Sequence, residues 1–408
     1  MASWHTLPAE MQLAVVDNLD LADARVFSAV DQRTYAVCVP VLFRDVKLAT
    51  QADLDLFLEN VPRAYCRHIE YLDVAIASAA RAHADALIAL LLASPRLAQL
   101  VLRLTGAIDK SVIPCFAVLA NLRHLTIRNC AEEIVAPLSE RLVVSIAASV
   151  PDLRYLELDR VSRSTLHAPE LVGKYPFVPL VRGDDDIPDH PTLAAELSLP
   201  SLLAIPSLRQ LTIRDTHLGD PRWATAPVAC RLEVLDLGSC AHEPDAPNRL
   251  AVERIMSAVG PSLSSFSVAT ALDAPPRTPL PRLRALHISP FVPPDDVVDT
   301  VAALAASPIE ALSVQCFADD VADACTALEA FLALRASRGP AFFGKLARID
   351  VTVAGDESDG PNPAADAERA QAEQRLQTFC RGLHLTSRVT KPKPRAAGDR
   401  LRSNSCAF

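Results

Sequence analysis

The sequence predicts an α/β chain: an amino-terminal three-helix module followed by a solenoid with parallel strands inside and helices outside. Three observations predict it. A Leu-x-x-Leu-x-Leu pattern recurs along most of the 408 residues. Its final Leu-x-Leu step has the period of a strand, with alternate side chains turned inward. The residues ahead of the first copy have helical spacing and no copy of the pattern.

Allowing Ile, Val and Phe, copies start at Ile69, Leu97, Leu122, Leu153, Leu208, Leu232, Leu263, Leu283, Ile309 and Leu346. Most intervals between successive starts fall between 20 and 37 residues, and one is 55. Each copy should supply one short strand. The stretches 139–150, 250–259, 297–306 and 321–334 have helical character and suit an outer layer. One such unit cannot bury its apolar residues alone, so neighbours must stack into a continuous core. The solenoid should span 49–353. The long interval should hold an insertion around 162–200, read as a surface loop from the Pro, Gly and Asp content of 174–191. Residues 354–382 should form an acidic loop and a helix, and 383–408 a disordered basic tail.

Residues 1–48 read as three short helices. Pro8 sits where a helix can start, because its missing N–H has no intrahelical partner there. Met11, Val15, Val16 and Leu19 share helical spacing; Leu21, Val26 and Val30 stripe a second helix, and 31–39 makes a third. So small a unit gains by burying apolar surface against something else. It is either a cap on the solenoid, with these side chains buried internally, or a docking module that leaves several facing solvent.

Composition excludes several functions. A net charge of −9 argues against a general nucleic-acid surface and points to protein partners. Ten scattered cysteines without a Cys-x-x-Cys pair read as small buried hydrophobes in a reducing compartment, with no metal site. No basic-then-apolar leader opens the chain, and the most apolar stretch, 84–93, is too short to cross a bilayer. A cytoplasmic or nuclear protein with no membrane partner is expected. With 12 glycines and no nucleophile elbow, metalloprotease helix, phosphate loop or dinucleotide fingerprint, no enzyme site and no cofactor are expected. The acidic run Asp184, Asp185, Asp186 lacks the ligand spacing of a calcium loop and reads as solvated.

The pattern resembles the leucine-rich repeat, whose Leu-x-x-Leu-x-Leu-x-x-Asn/Cys is met in full from Leu122 to Cys130 and from Leu232 to Cys240. Other copies depart at the last position, with Thr105, Val161, Thr216, Phe291 and Phe317, so the repeats look degenerate. The string Leu7-Pro8-x-Glu10 with Val15, Val16, Leu19, Leu21, Val26, Val30 and Tyr35 resembles the F-box, and the segment from Pro40 to Leu48 resembles its end in fungal F-box proteins with irregular leucine-rich repeats. That resemblance implies a substrate-recognition adaptor of an SCF-type (Skp–cullin–F-box) E3 ubiquitin ligase. Leu7, Pro8, Met11, Val15, Val16, Leu19, Leu21, Val26 and Val30 would contact the Skp-type adaptor of the cullin–RING ligase. A client protein, its identity open, would meet the concave strand face through Arg103, His124, Arg128, Tyr155, Glu157, Asp159, Gln210 and Arg214, with Asp73, Asp236, His287 and Gln315 beside them. Arg103, Arg128 and Arg214 occupy equivalent places, which predicts a charged recognition patch unless Asp residues pair with them. The alternative is a non-catalytic leucine-rich-repeat scaffold or inhibitor that recruits no ligase.

Overall fold

The computed structural model describes residues 4–77, 80–173, 178–238, 240, 243–317, 319–354 and 363–390. They form two compact units. The first runs through Leu156 and adds Val181–Leu199; the second takes Glu157–Leu180 and the described residues from Pro200 onward.

The first unit opens with helices α1 (Ala9–Asp17), α2 (Leu21–Ser28) and α3 (Gln32–Leu42). Pro8 precedes α1, and the carboxylates of Asp20 and Asp31 open α2 and α3 by accepting the backbone N–H of Asp23 and Thr34, each at 2.8 Å. Such caps are each worth about 1 kcal/mol. Val16, Ala24, Cys38 and Val41 form the centre of this bundle, and Trp4, Leu19 and Phe27 close over it. The Trp4 and Phe27 rings meet edge to face at 4.8 Å, and the Trp4 indole donates to Thr34 Oγ1 at 3.2 Å.

Strand and helix then alternate: β1 (Asp45–Leu48), α4 (Gln51–Asn60), α5 (Arg63–Cys66), β2 (Tyr71–Ile76), α6 (Arg81–Leu92), β3 (Gln99–Leu104), α7 (Ile113–Phe116), β4 (His124–Asn129) and α8 (Glu140–Ser149). Strands β1 to β4 pair in parallel in chain order. The register places Val46, Leu72, Leu100 and Leu125 in one row, and Leu48, Val74, Leu102 and Ile127 in the next. All eight are buried, while the alternate positions face outward and are half-exposed, apart from the exposed Asp45, Lys47 and Gln99. Parallel strands need a crossover between them, and the helices provide it.

Strand β5 (Tyr155–Asp159) straddles the division, with Tyr155 and Leu156 counted in the first unit. The short β6 (Arg163–Ser164) and β7 (Leu180–Val181) follow. The second unit continues with β8 (Gln210–Arg214), β9 (Val234–Leu237), α9 (Asp245–Val259), β10 (Ser265–Val268), β11 (Ala285–Ile288), α10 (Pro294–Ala303), β12 (Ala311–Phe317), α11 (Val321–Arg338), β13 (Arg348–Ala354), α12 (Pro363–Gly382) and β14 (Thr386–Thr390). Strands β8 to β14 are again parallel neighbours in chain order. Leu211, Leu235, Phe266, Leu286, Leu312 and Ile349 make one unbroken buried row.

The α/β class is as the pattern predicts, and every copy of it carries a strand. Besides the two-residue β6 and β7, two strands have no copy. The first, β1, lies inside the segment assigned to the amino-terminal module and pairs with β2. The second, β14, lies inside the expected tail: Thr386–Thr390 pairs with Arg348–Thr352, so 383–390 is not a disordered end. Its one apolar residue, Val389, gave no pattern, because backbone pairing rather than burial defines it. Residues 391–408 of that tail, and 355–362 of the acidic loop, lie outside the described residues.

The insertion is also not a surface loop. Arg163, Ala168, Leu197 and Leu199 are buried. The first turn of α8 anchors 181–199: Ser139 Oγ donates to Asp184 at 2.5 Å, Glu140 Oε2 accepts the Leu199 N–H at 3.2 Å, and Arg141 Nη1 donates to the Ala195 carbonyl at 3.2 Å. Asp184 is therefore buried rather than solvated, and Asp186 pairs with Lys110. These contacts depend on one helix terminus meeting a distant segment, which has no period to read. No helix among the described residues is long and apolar enough to cross a membrane. The nine described cysteines are all free, and all but Cys130 are buried.

Candidate interaction surfaces

On the amino-terminal bundle the structure separates the expected contact residues into two groups. Val16 lies in the core and is not available to a partner, and Leu7 and Leu19 are half-buried. Adjacent helical residues point about 100° apart, so Val15 faces out when Val16 faces in. Met11, Val15 and Leu21 are exposed with Pro8, and Val26 and Val30 are 74% and 66% exposed. Leu13, which the motif did not single out, is exposed as well. An internally buried cap would hide these side chains.

In the first unit the outward strand face pairs its charges. Arg103 Nε donates to Asp73 Oδ1 at 2.7 Å across the β2–β3 register. Arg128 lies directly opposite Arg103 on β4. His124 and Tyr155 stack with ring centroids 4.1 Å apart and planes 5° from parallel. Burial, aided by the charge of Arg123, holds the His124 imidazole below its ordinary range, so the stacked ring is neutral at neutral pH.

In the second unit Arg214 Nη2 donates to Asp236 Oδ2 at 2.9 Å. Burial alone would lower the Arg214 guanidinium, but Asp236, Glu157 and Asp159 raise it above its ordinary value. Gln210 starts the same strand on the same face. Arg103 and Arg214 therefore do not make an open cationic patch, because a neighbouring strand places a carboxylate beside each. Single-strand reading could not see those pairs, since cross-strand register decides them.

A buried polar cluster escaped the sequence reading. Arg163 Nη2 donates to Asp220 Oδ2 at 2.8 Å and to the His167 carbonyl at 3.2 Å, and its Nη1 donates to the Gly219 carbonyl at 3.1 Å. Beside it, Glu243 Oε2 accepts the Leu218 N–H at 2.9 Å and Oε1 lies 3.5 Å from His217 Nε2. A Cβ on Gly219 would come within 2.6 Å of His217 Cε1 and 2.8 Å of the Glu243 carboxylate, so a larger residue there would force those side chains to move. These groups are committed to the 216–220 backbone, which makes the cluster a structural clamp.

Burial pushes the Glu243 carboxyl up to about 7, although backbone donors and Arg163 pull it down. A carboxyl raised on folding binds a proton more tightly in the native state. Its contribution is thus full below the unfolded value near 4.5 and is lost as the pH rises through about 7. Urea midpoints should fall between pH 5 and 8.5 by an amount equivalent to roughly 2–3 kcal/mol from this group. Glu243→Gln should flatten that part of the profile; an unchanged slope would assign it elsewhere.

No protein-family model and no curated protein sequence matches the chain.

Proposed function

We propose that the chain is a substrate-recognition adaptor of an SCF-type E3 ubiquitin ligase, its amino-terminal helices an F-box and its strand–helix units irregular leucine-rich repeats. One observation carries the proposal: Met11, Val15, Leu21, Val26 and Val30 stand exposed on a bundle whose core is already filled by Val16, Ala24, Cys38 and Val41. A cap would have no use for that surface. The run of parallel strands with one apolar and one polar face supports the second half, since such a face displays side chains to a partner without loosening the core.

The mechanism is proximity. The adaptor holds a client near the ubiquitin-charged enzyme of the ligase and so raises the effective concentration of its lysines. No residue of this chain need touch the reacting bond, and no cofactor enters.

Binding of purified Skp-type adaptor to the full chain tests it, compared with Val15→Asp, Val26→Asp and the double variant. Both positions are exposed, so the fold should survive. The native chain should bind and the double variant should lose at least ~100-fold, as expected when two anchors become buried unpaired charges. No binding by the native chain would overturn the proposal and leave a repeat scaffold without ligase recruitment.

A further inference from the structure

The strand starts of the first unit form an edge of their own. Glu70, Ala98, Arg123 and Arg154 each stand one residue ahead of β2, β3, β4 and β5. Their backbones are in register: the N–H groups of Ala98, Arg123 and Arg154 donate to the carbonyls of Glu70, Ala98 and Arg123, each at 2.9 Å. Successive members are therefore about one strand spacing, ~4.8 Å, apart. Three of the four side chains are long, and the single methyl of Ala98 leaves a gap among them. A cleft of about 310 Å³ opens there between Glu70, Arg96, Asn121 and Arg123. A second, of about 320 Å³, lies between Arg67, His68, Pro95 and Arg96, and Arg96 borders both. Asn121 pins the shared wall by donating from Nδ2 to the Pro95 carbonyl at 2.8 Å.

The walls hold more cations than anions. Arg123 and Arg154 share one carboxylate, with Nε and Nη2 3.3 and 3.1 Å from Asp152 Oδ2. The hydrogen bond from Arg154 and the charges of both arginines hold Asp152 below its ordinary range, so it is fully ionised at neutral pH. Arg67 donates from Nε to His68 Nε2 at 3.2 Å. Burial first, then the charges of Arg67 and Arg96, keep the His68 imidazole below its ordinary range, so the ring between them adds no charge at neutral pH. Among the described residues Arg67 and Arg96 have no carboxylate partner, and both are exposed. Glu70 lines the first cleft without a cationic partner among the described residues. Four guanidiniums thus stand with two carboxylates, a positive surplus on a chain whose net charge is −9.

That contrast selects among anions. The negative charge of the whole molecule repels a long polyanion such as nucleic acid, whereas a short acidic segment meets the local surplus. A guanidinium offers five N–H donors in a planar fork that matches a carboxylate, and Arg67 has committed one of its five. Two adjoining clefts along the strand starts suit an extended chain with closely spaced acidic side chains. We propose that the strand-start edge of the first unit docks an acidic segment of a protein partner, its carboxylates held by Arg67, Arg96 and Arg123. The proposal rests on the adaptor reading only in calling that partner a client.

The test is selection of random twelve-residue displayed peptides on the immobilised full chain, followed by fluorescence anisotropy with the most enriched peptide synthesised and labelled. Enriched sequences should carry two or more Asp or Glu within about five positions. Affinity should fall roughly tenfold or more in Arg67→Glu/Arg96→Glu and in Ala98→Leu, which fills the first cleft. It should rise about twofold or more in Glu70→Gln, which removes an opposing charge. The control pair Arg277→Glu/Arg381→Glu makes the same change in net charge at exposed positions of the second unit and should leave affinity within about twofold. All of these positions are exposed or half-exposed, so the thermal melts should match that of the native chain. Enrichment of neutral or basic peptides, no enrichment, equal binding to the edge variants, or an equal loss in the control pair would overturn the proposal. So would tighter binding of a twelve-nucleotide oligothymidine than of the peptide, because the edge would then serve nucleic acid. No Skp-type adaptor is present in this assay, so its failure and failure of ligase docking are read separately.

Discussion

Replacing Arg163 with Met is expected to cost the second unit roughly 3–5 kcal/mol, the range for breaking a buried ion pair by removing one partner. The Arg163 side chain is 0% exposed and Asp220 nearly so. Methionine keeps the apolar stem but removes the donor to the Gly219 carbonyl, leaves the His167 carbonyl to the longer bond from Arg222 at 3.4 Å, and leaves Asp220 paired with Arg222. Burial raises the Asp220 carboxyl, yet hydrogen bonds from Arg222 and the charge of Arg163 bring it below its ordinary range. Adding Asp220→Asn should recover part of the loss, because no uncompensated charge is then buried. Trp223 is buried in the same cluster, donating to the Leu218 carbonyl at 2.9 Å, and reports unfolding directly in a Trp4→Phe background. A loss under about 1 kcal/mol would show that water enters the cluster and solvates Asp220.

Asn129→Ala is expected to cost the first unit roughly 2–4 kcal/mol, since each buried polar group left without a partner costs about 1–3 kcal/mol. Asn129 Oδ1 accepts the N–H of both Gly106 and Ala131 at 3.0 Å, and Nδ2 donates to the Ala136 carbonyl at 2.9 Å. One side chain thereby ties the turn after β3 to the turn after β4. Gly106 cannot carry a substitute anchor: its φ is +79°, and a Cβ would meet the Ala136 methyl at 2.9 Å. Hydrogen exchange at Gly106 and Ala131 should accelerate in the variant while Leu100 and Leu102, in the strand core, stay protected. Equal acceleration throughout would mean that the turns and the strands open together.

Much of the architecture was legible because burial imposes a period. Leu72, Leu100 and Leu125 are both members of the sequence pattern and neighbours in one register row, so a single-chain repeat translated into spatial order. The bundle was legible for the same reason, and its first helix start was marked by Pro8. What escaped had no period. Val15 and Val16 looked equivalent as a pair, and only packing against Cys38 and Val41 makes one internal. Arg103 and Arg214 looked like a cationic column, and only adjacent-strand carboxylates neutralise them. Phe291 and Phe317 were visible as departures from the repeat, but their meeting depends on two turns converging. Arg163, Asp220 and Glu243 are 23 to 80 residues apart, and nothing local links them.

The buried thiols carry a consequence for handling the molecule. Burial pushes Cys115 and Cys325 up to about 12, so at pH 7 only about one molecule in 10⁵ presents a thiolate at either position. The free cysteines are also spread along the chain, from Cys38 in the bundle through Cys66 and Cys115 to Cys230, Cys316, Cys325 and Cys380. Alkylating reagents therefore meet a silent surface at these sites until the segment around one of them opens. The native sequence already carries a graded set of chemical clocks, from which the order of opening can be timed without installing a single label.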